Sequence, residues 1–196
     1  MANYLFIHGG KRNKKDWDAV REILESKDQE TYAITLSDPE NSSLSNHISE
    51  VCNLIKNENI NDVILVGHSS AAFVITGVAN EIPKKIAEII YVDTLIPENG
   101  KSLFDFFHEK GVDTEKYGIP AWPPFVERLN FNESRIKKFP KKYLHCIHSQ
   151  FLEMTRDIVP YIKKHAKQDN WRYFELNSDH YCMINNPKEL AEIILK

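Results

Sequence analysis

Short apolar runs alternate along this chain with stretches in which apolar residues return at helical spacing. Tyr4-Leu-Phe-Ile7, Thr31-Tyr-Ala-Ile-Thr-Leu36, Val63-Ile-Leu-Val66, Ala87-Glu-Ile-Ile-Tyr-Val-Asp93, Tyr143-Leu-His-Cys-Ile-His148 and Arg172-Tyr-Phe-Glu-Leu176 read as strands. Between them, Trp17–Glu25 (apolar at Trp17, Val20, Ile23 and Leu24), Ile48–Ile55, Ala72–Ala79, Met154–Ala166 and Pro187–Lys196 read as helices, the last with proline suited to its first turn. Val63–Val66 has no polar face, as expected of a strand covered on both sides. Six strands alternating with helices predict an α/β fold, with a mainly parallel sheet and right-handed crossovers. Ligands then sit beyond the carboxyl ends of the strands. His8, Ser69, Asp93, Ser149 and His180 all fall at such ends.

From about Gly100 to Lys142 the periodicity fades. Phe104, Phe106, Phe107, Trp122, Pro123, Pro124 and Phe125 concentrate there among interspersed charges. A segment of this length inside a compact fold is usually functional. It is expected to be a cap over the strand ends, some of its aromatics lining an apolar pocket and others anchoring it to the core.

Composition narrows the class. The 196 residues suit one domain, residues 1–196, with the cap as an insertion at about 100–142. A hydrophobic content of 42%, a charged content of 27% and a net charge of −3 suit an ordinary globular protein and argue against a nucleic-acid partner. No apolar run has the length of a membrane span, and the N-terminus lacks the pattern of a signal peptide. Cys52, Cys146 and Cys182 are an odd, scattered set. They are expected to be reduced and buried in a cytoplasmic protein, with no metal-ligand spacing among them. No cofactor is expected, and no self-association pattern stands out.

The chemistry centres on Gly67-His-Ser-Ser-Ala71, set between a buried strand and a buried helix. A sharp strand-to-helix turn with a central serine, flanked two residues away by small residues, is the setting of a nucleophile elbow. Ser69 is the candidate nucleophile. His8-Gly9-Gly10 follows the first strand, and its glycines allow close backbone approach to a ligand. The N–H groups of Gly10 and Ser70 are candidate oxyanion donors. Serine needs a base within hydrogen-bond reach. His180 is the candidate, lying after the last strand and after the serine in chain order. His8 is expected to shape the Gly9–Gly10 loop, and His68 to pack beside the serine. Candidate substrate contacts are His8, Gly9, Phe104, Trp122 and Tyr181.

His8-Gly9-Gly10, Gly67–Ala71, Tyr91-Val-Asp-Thr-Leu-Ile-Pro-Glu-Asn-Gly100 and Ser178-Asp-His180 together resemble the α/β-hydrolase fold, and within it the methylesterase and hydroxynitrile-lyase-like branch. The resemblance covers nearly the whole chain, with a shortened cap. It implies a serine hydrolase in which Ser69 attacks an acyl carbon, His180 relays the proton, and Gly10 and Ser70 supply the oxyanion N–H groups. The implied reaction is carboxylester cleavage, on small esters with an apolar part, through an acyl-Ser69 intermediate.

Three departures qualify it. Ala71 replaces the usual elbow glycine. Tyr181 stands where the related lyases carry lysine, which argues against cyanohydrin cleavage. The register in which the family keeps its acid falls on Ser149, and no carboxylate follows until Glu153. Asp93, at the end of the neighbouring strand, is one substitute. A Ser69–His180 dyad, with Ser149 or a water holding the imidazole, is another. A scaffold that only binds ligands is the third, and a lyase or acyltransferase is a further alternative reaction.

Overall fold

A computed structural model describes residues 1–196. Six strands form one sheet: β1 (Asn3–Ile7), β2 (Glu30–Ile34), β3 (Val63–His68), β4 (Ile86–Val92), β5 (Lys141–Cys146) and β6 (Trp171–Leu176). All five pairings are parallel, in the order β2-β1-β3-β4-β5-β6. The order reverses between β1 and β3, and the crevice at such a switch is where open α/β sheets bind ligands. The loops carrying Gly9–Gly10 and Ser69 flank it.

Apolar side chains alternate to the two faces of the sheet and build two cores. The larger includes Leu5, Ile7, Leu65, Ile89 and Tyr91, covered by α2 (Leu44–Asn57) and α3 (Ala71–Glu81). The smaller includes Phe6, Val66, Ile90 and Val92, covered by α1 (Asp18–Glu25) and later by α10 (Pro187–Ile194). Every residue of α3 from Ala71 to Ala79 is buried, so the helix behind Ser69 is held on all sides. Gly67 permits this: a Cβ there would lie 2.7 Å from Ile75 Cδ1 and 3.2 Å from the Ala71 carbonyl oxygen. Ala71 itself fits where glycine was expected, its side chain lying within the larger core.

Several elements differ from the expected bounds, each for a local reason. Helix α2 starts at Leu44 rather than Ile48, because the Ser43 side chain accepts from the Asn46 N–H and caps it there. Strand β5 runs Lys141–Cys146 rather than Tyr143–His148. Its two lysines read as loop residues, yet both are buried. Lys141 Nζ donates to the carbonyls of Ile136, Lys137 and Phe139, and Lys142 Nζ to that of Ile194. His148 therefore lies beyond the strand and is exposed, and shares no strand face with His145.

The helix expected over Met154–Ala166 is two pieces, α7 (Leu152–Thr155) and α8 (Ile158–His165). Pro160 lacks an N–H and would clash with the carbonyl of Arg156 in a continuous helix. A short unpredicted turn of helix, α9 (Cys182–Asn185), follows the His180 loop.

Residues 100–142 connect β4 to β5 through α4 (Leu103–Glu109), α5 (Pro123–Val126) and α6 (Glu133–Ile136). Ser102 and Asp105 form a reciprocal cap on α4, and Glu127 accepts from the N–H of Leu44 at the start of α2. All three cysteines are free and buried. No helix is long and apolar enough to cross a membrane.

Candidate active site

The register of the sheet places Ser69 and Asp93 side by side. His68 pairs with Val92 at the ends of β3 and β4, and Ser69 and Asp93 are the next residues. Both leave their strands at positive φ, 54° and 43°. This conformation is costly for residues with a side chain and recurs at functional sites. Backbone bonds brace it: Ser69 N–H donates to Val92 O (3.2 Å), and Asp93 N–H to Leu144 O (2.8 Å). Thr94 Oγ1 donates to the Ser69 carbonyl (2.5 Å), while Tyr143 Oη donates to the Thr94 carbonyl (2.6 Å).

His180 arrives from the loop after β6. Its Nδ1 lies 2.6 Å from Asp93 Oδ2, and both residues are buried. Asp93 is therefore the carboxylate on the imidazole. The dyad arrangement with Ser149 holding the ring is not what forms: Ser149 Oγ donates to Asp93 Oδ2 instead (2.5 Å). The Cys146 N–H donates to the other carboxylate oxygen (3.2 Å). With Nδ1 taken up by Asp93, Nε2 is the imidazole nitrogen left to serve Ser69. Ser69 Oγ and the imidazole line one cavity without a hydrogen bond between them, a common state of ligand-free sites.

His68 holds His180 from behind. Its Nε2 donates to the His180 carbonyl (2.8 Å), and the two rings lie 4.3 Å apart. Burial, aided by the neighbouring His180, holds His68 well below the ordinary histidine range, so its imidazole stays neutral. Phe151 covers another side of the His180 ring, at 4.3 Å.

The loop His8–Gly10 abuts the elbow. A Cβ on Gly9 would lie 3.0 Å from both His68 Nδ1 and Ser69 Cβ; one on Gly10 would lie 2.8 Å from Phe125 Cζ and 3.5 Å from Ser70 Oγ. Only glycine lets this backbone come so close. The N–H groups of Gly10 and Ser70 are engaged by no other backbone group. His8 serves the loop: Leu36 N–H donates to its Nε2 (3.0 Å), so its Nδ1–H donates to the Gly9 carbonyl (2.7 Å). Burial lowers its pKa from the ordinary value.

The cavity is about 270 Å³, and Gly9, Gly10, Ser69, Ser70, Asp93, His180 and Tyr181 all line it. Its apolar walls come from Leu95, Leu103, Phe107, Ile119, Phe125 and Met154. Three of the expected substrate contacts are elsewhere. Both ring nitrogens of His8 are taken by backbone groups, Phe104 packs on Phe107, and Trp122 packs on Phe125 beneath the Lys11 ammonium. Phe107, Tyr117 and Phe125 are the aromatics of the 100–142 segment that reach the cavity. Phe151 and Met154 were not anticipated as lining residues. Phe151 lies past the end of the fifth strand and Met154 opens the expected helix, so nothing in the sequence marks either as facing the cavity.

Comparison with known proteins agrees with this architecture. At the level of fold alone, the structure superimposes on an extracellular α/β-hydrolase from a Paenibacillus species (TM-score 0.77, 20% identity, 100% of this chain and 98% of that one). It is equally close to a pyrethroid hydrolase from Sphingobium faniae JZ-2 (TM-score 0.77, 17% identity, 99% and 96%). A methylesterase from Arabidopsis gives a TM-score of 0.74 at 16% identity, over 100% and 98% of the two chains. In sequence, the chain is 50% identical over 111 residues to a carbendazim hydrolyzing esterase of Nocardioides sp. (strain SG-4G). The match covers 53% of this chain and 46% of the relative, so the chain spans about half the length of that protein. The sequence model described as the alpha/beta hydrolase family matches residues 4–153, from β1 through the elbow to the start of α7, and with this the chain belongs to the alpha/beta hydrolase family.

Proposed function

We propose that the protein is an esterase of the serine-hydrolase type, with Ser69 as nucleophile, His180 as general base and Asp93 as the orienting acid. The observation that carries this reading is the buried 2.6 Å contact between His180 Nδ1 and Asp93 Oδ2, beside Ser69 at the head of a helix buried from Ala71 to Ala79. His180 Nε2 takes the Ser69 proton as Oγ attacks the ester carbonyl. The N–H groups of Gly10 and Ser70 receive the oxyanion, and collapse of the tetrahedral intermediate expels the alcohol, which leaves with the proton from His180. Water, activated by the same imidazole, then releases the acid from Ser69. Asp93 keeps Nδ1 protonated and stabilises the imidazolium formed at each step.

The cavity suits a small ester with an apolar acyl or alcohol part, and residues 100–142 act as its cap. The name of the Nocardioides relative makes carbendazim a substrate to try beside simple esters. The test is treatment with a fluorophosphonate, followed by intact mass and a peptide map. A single adduct on Ser69, lost in His180→Ala, is the expected result. Absence of any adduct from folded protein, with a probe small enough to pass under the cap, would overturn the reading in favour of a hydrolase scaffold that only binds ligands.

A further inference from the structure

The turn after β5, Ser149-Gln150-Phe151, touches the Asp93–His180 pair at three points. Ser149 Oγ donates to the same Asp93 oxygen that accepts from His180. Gln150 Oε1 accepts from the His180 backbone N–H (3.3 Å). The Phe151 ring covers the His180 imidazole, and Tyr117 stacks on Phe151 at 4.6 Å. The direction of the Ser149 hydroxyl is fixed, because its oxygen accepts from the Phe151 N–H (3.1 Å) and its proton is left for Asp93.

From this we infer that Ser149, set in this turn, is a positioning residue: its hydroxyl holds the Asp93 carboxylate in the orientation that keeps His180 aimed at Ser69. The role presupposes the Ser69–His180–Asp93 mechanism. No cation pairs with Asp93 apart from the imidazolium that forms during reaction. A buried carboxylate of this kind depends on hydrogen-bond donors. Cys146 N–H serves one oxygen; Ser149 serves the other, the one that also accepts from His180, and so adds a second fixed donor where the imidazole is held. In the proposed mechanism positive charge develops on the imidazole in the transition state, so losing Ser149 weakens that state more than it weakens substrate binding. Ser149 itself does not line the cavity.

The test uses p-nitrophenyl acetate as substrate, with Ser149→Ala, Ser149→Cys and Ser149→Thr. A hydrogen bond to a charged group of this kind corresponds to about a tenfold to hundredfold loss of kcat in Ser149→Ala. KM is expected to stay within about twofold, the pattern of an interaction made only in the transition state. Ser149→Cys fills nearly the same space but donates weakly, so it also loses kcat and decides the matter should the alanine variant be unfolded. Ser149→Thr restores the hydroxyl and recovers most of the loss. Folded alanine or cysteine variants with wild-type kcat, or a rise in KM in place of the fall in kcat, would overturn the inference while the esterase reading stands. A wild-type protein inert toward both ester and fluorophosphonate would sink the two together.

Discussion

The strand-end loops and the 100–142 segment face each other across the cavity but are held in different ways. Beneath it, Ser69, Asp93 and His180 are each fixed by bonds to the chain around them, and Asp93 and His180 by a buried bond to each other. Above it, buried apolar side chains and aromatic stacks are joined by ion pairs with at least one exposed partner: Lys101 with Glu98 and Glu109, Lys110 with Asp157, Arg128 with Asp105, Lys116 with Glu153. Pairs of this kind stabilise weakly and are screened by salt. Leu103, Phe106, Phe107, Phe125, Leu129 and Ile136 also anchor the segment in the larger core, so the two sides differ in their polar ties: buried beneath the cavity, exposed above it.

Substitutions on each side should separate the two roles. The largest effect is expected from Asp93→Asn. With a neutral amide on Nδ1, turnover should fall about ten-thousand-fold while the fold persists. Near-normal turnover in that variant would remove Asp93 from the mechanism and with it the buried half of the contrast. Phe107→Ala removes a side chain that is both cavity wall and buried anchor of the cap. Truncation of a buried phenylalanine costs about 3–5 kcal/mol, measurable by denaturant unfolding. A much smaller loss would show that the cap can collapse to fill the gap.

His68 gives a pH dependence. It is held neutral when folded and becomes free to protonate when unfolded, so its contribution is fully present above the unfolded value of about 6.5 and is lost as pH falls below it. The slope it adds is at most about 1.4 kcal/mol per pH unit. The gap between denaturant midpoints at about pH 7.5 and about pH 5.5 should narrow in His68→Gln, which retains a donor for the His180 carbonyl while removing the titration; His8 and His145, whose pKa values burial also lowers, keep the rest. An unchanged slope in that variant would assign the acid sensitivity to other groups. The smallest effect belongs to Lys116→Ala, which breaks an exposed pair with Glu153 at the cap's edge. Its unfolding midpoint should match the wild type, and a clear drop would mean the cap is held by charge after all.

Much of this arrangement could be read before any coordinates. An apolar run ending in Gly67-His-Ser-Ser-Ala71, followed by an apolar helix, determines the elbow locally, and the Gly9–Gly10 loop follows a strand in the same way. The acid was harder. Asp93 and His180 are 87 residues apart, and their contact depends on β4 and β6 flanking β5 and on Asp93 leaving its strand at a forbidding φ. Lys141 and Lys142 hid the start of β5, because a lysine satisfied by backbone carbonyls looks the same in sequence as a solvated one. The cap aromatics were legible as a group only. Without a regular repeat, nothing in the order Phe104, Phe106, Phe107 tells which ring faces the cavity and which faces the core.

The unequal footing of the three proposed reactive groups has a practical consequence for heat. Ser69 and Asp93 close adjacent strands in the middle of the sheet and cannot separate unless it comes apart. His180 hangs from β6, an edge strand with solvent-facing residues along its length. Fraying of that edge moves His180 away from Ser69 and Asp93, which remain in register. On warming, catalytic competence should disappear at a lower temperature than the bulk structure melts, and should return on cooling as long as only the edge has opened.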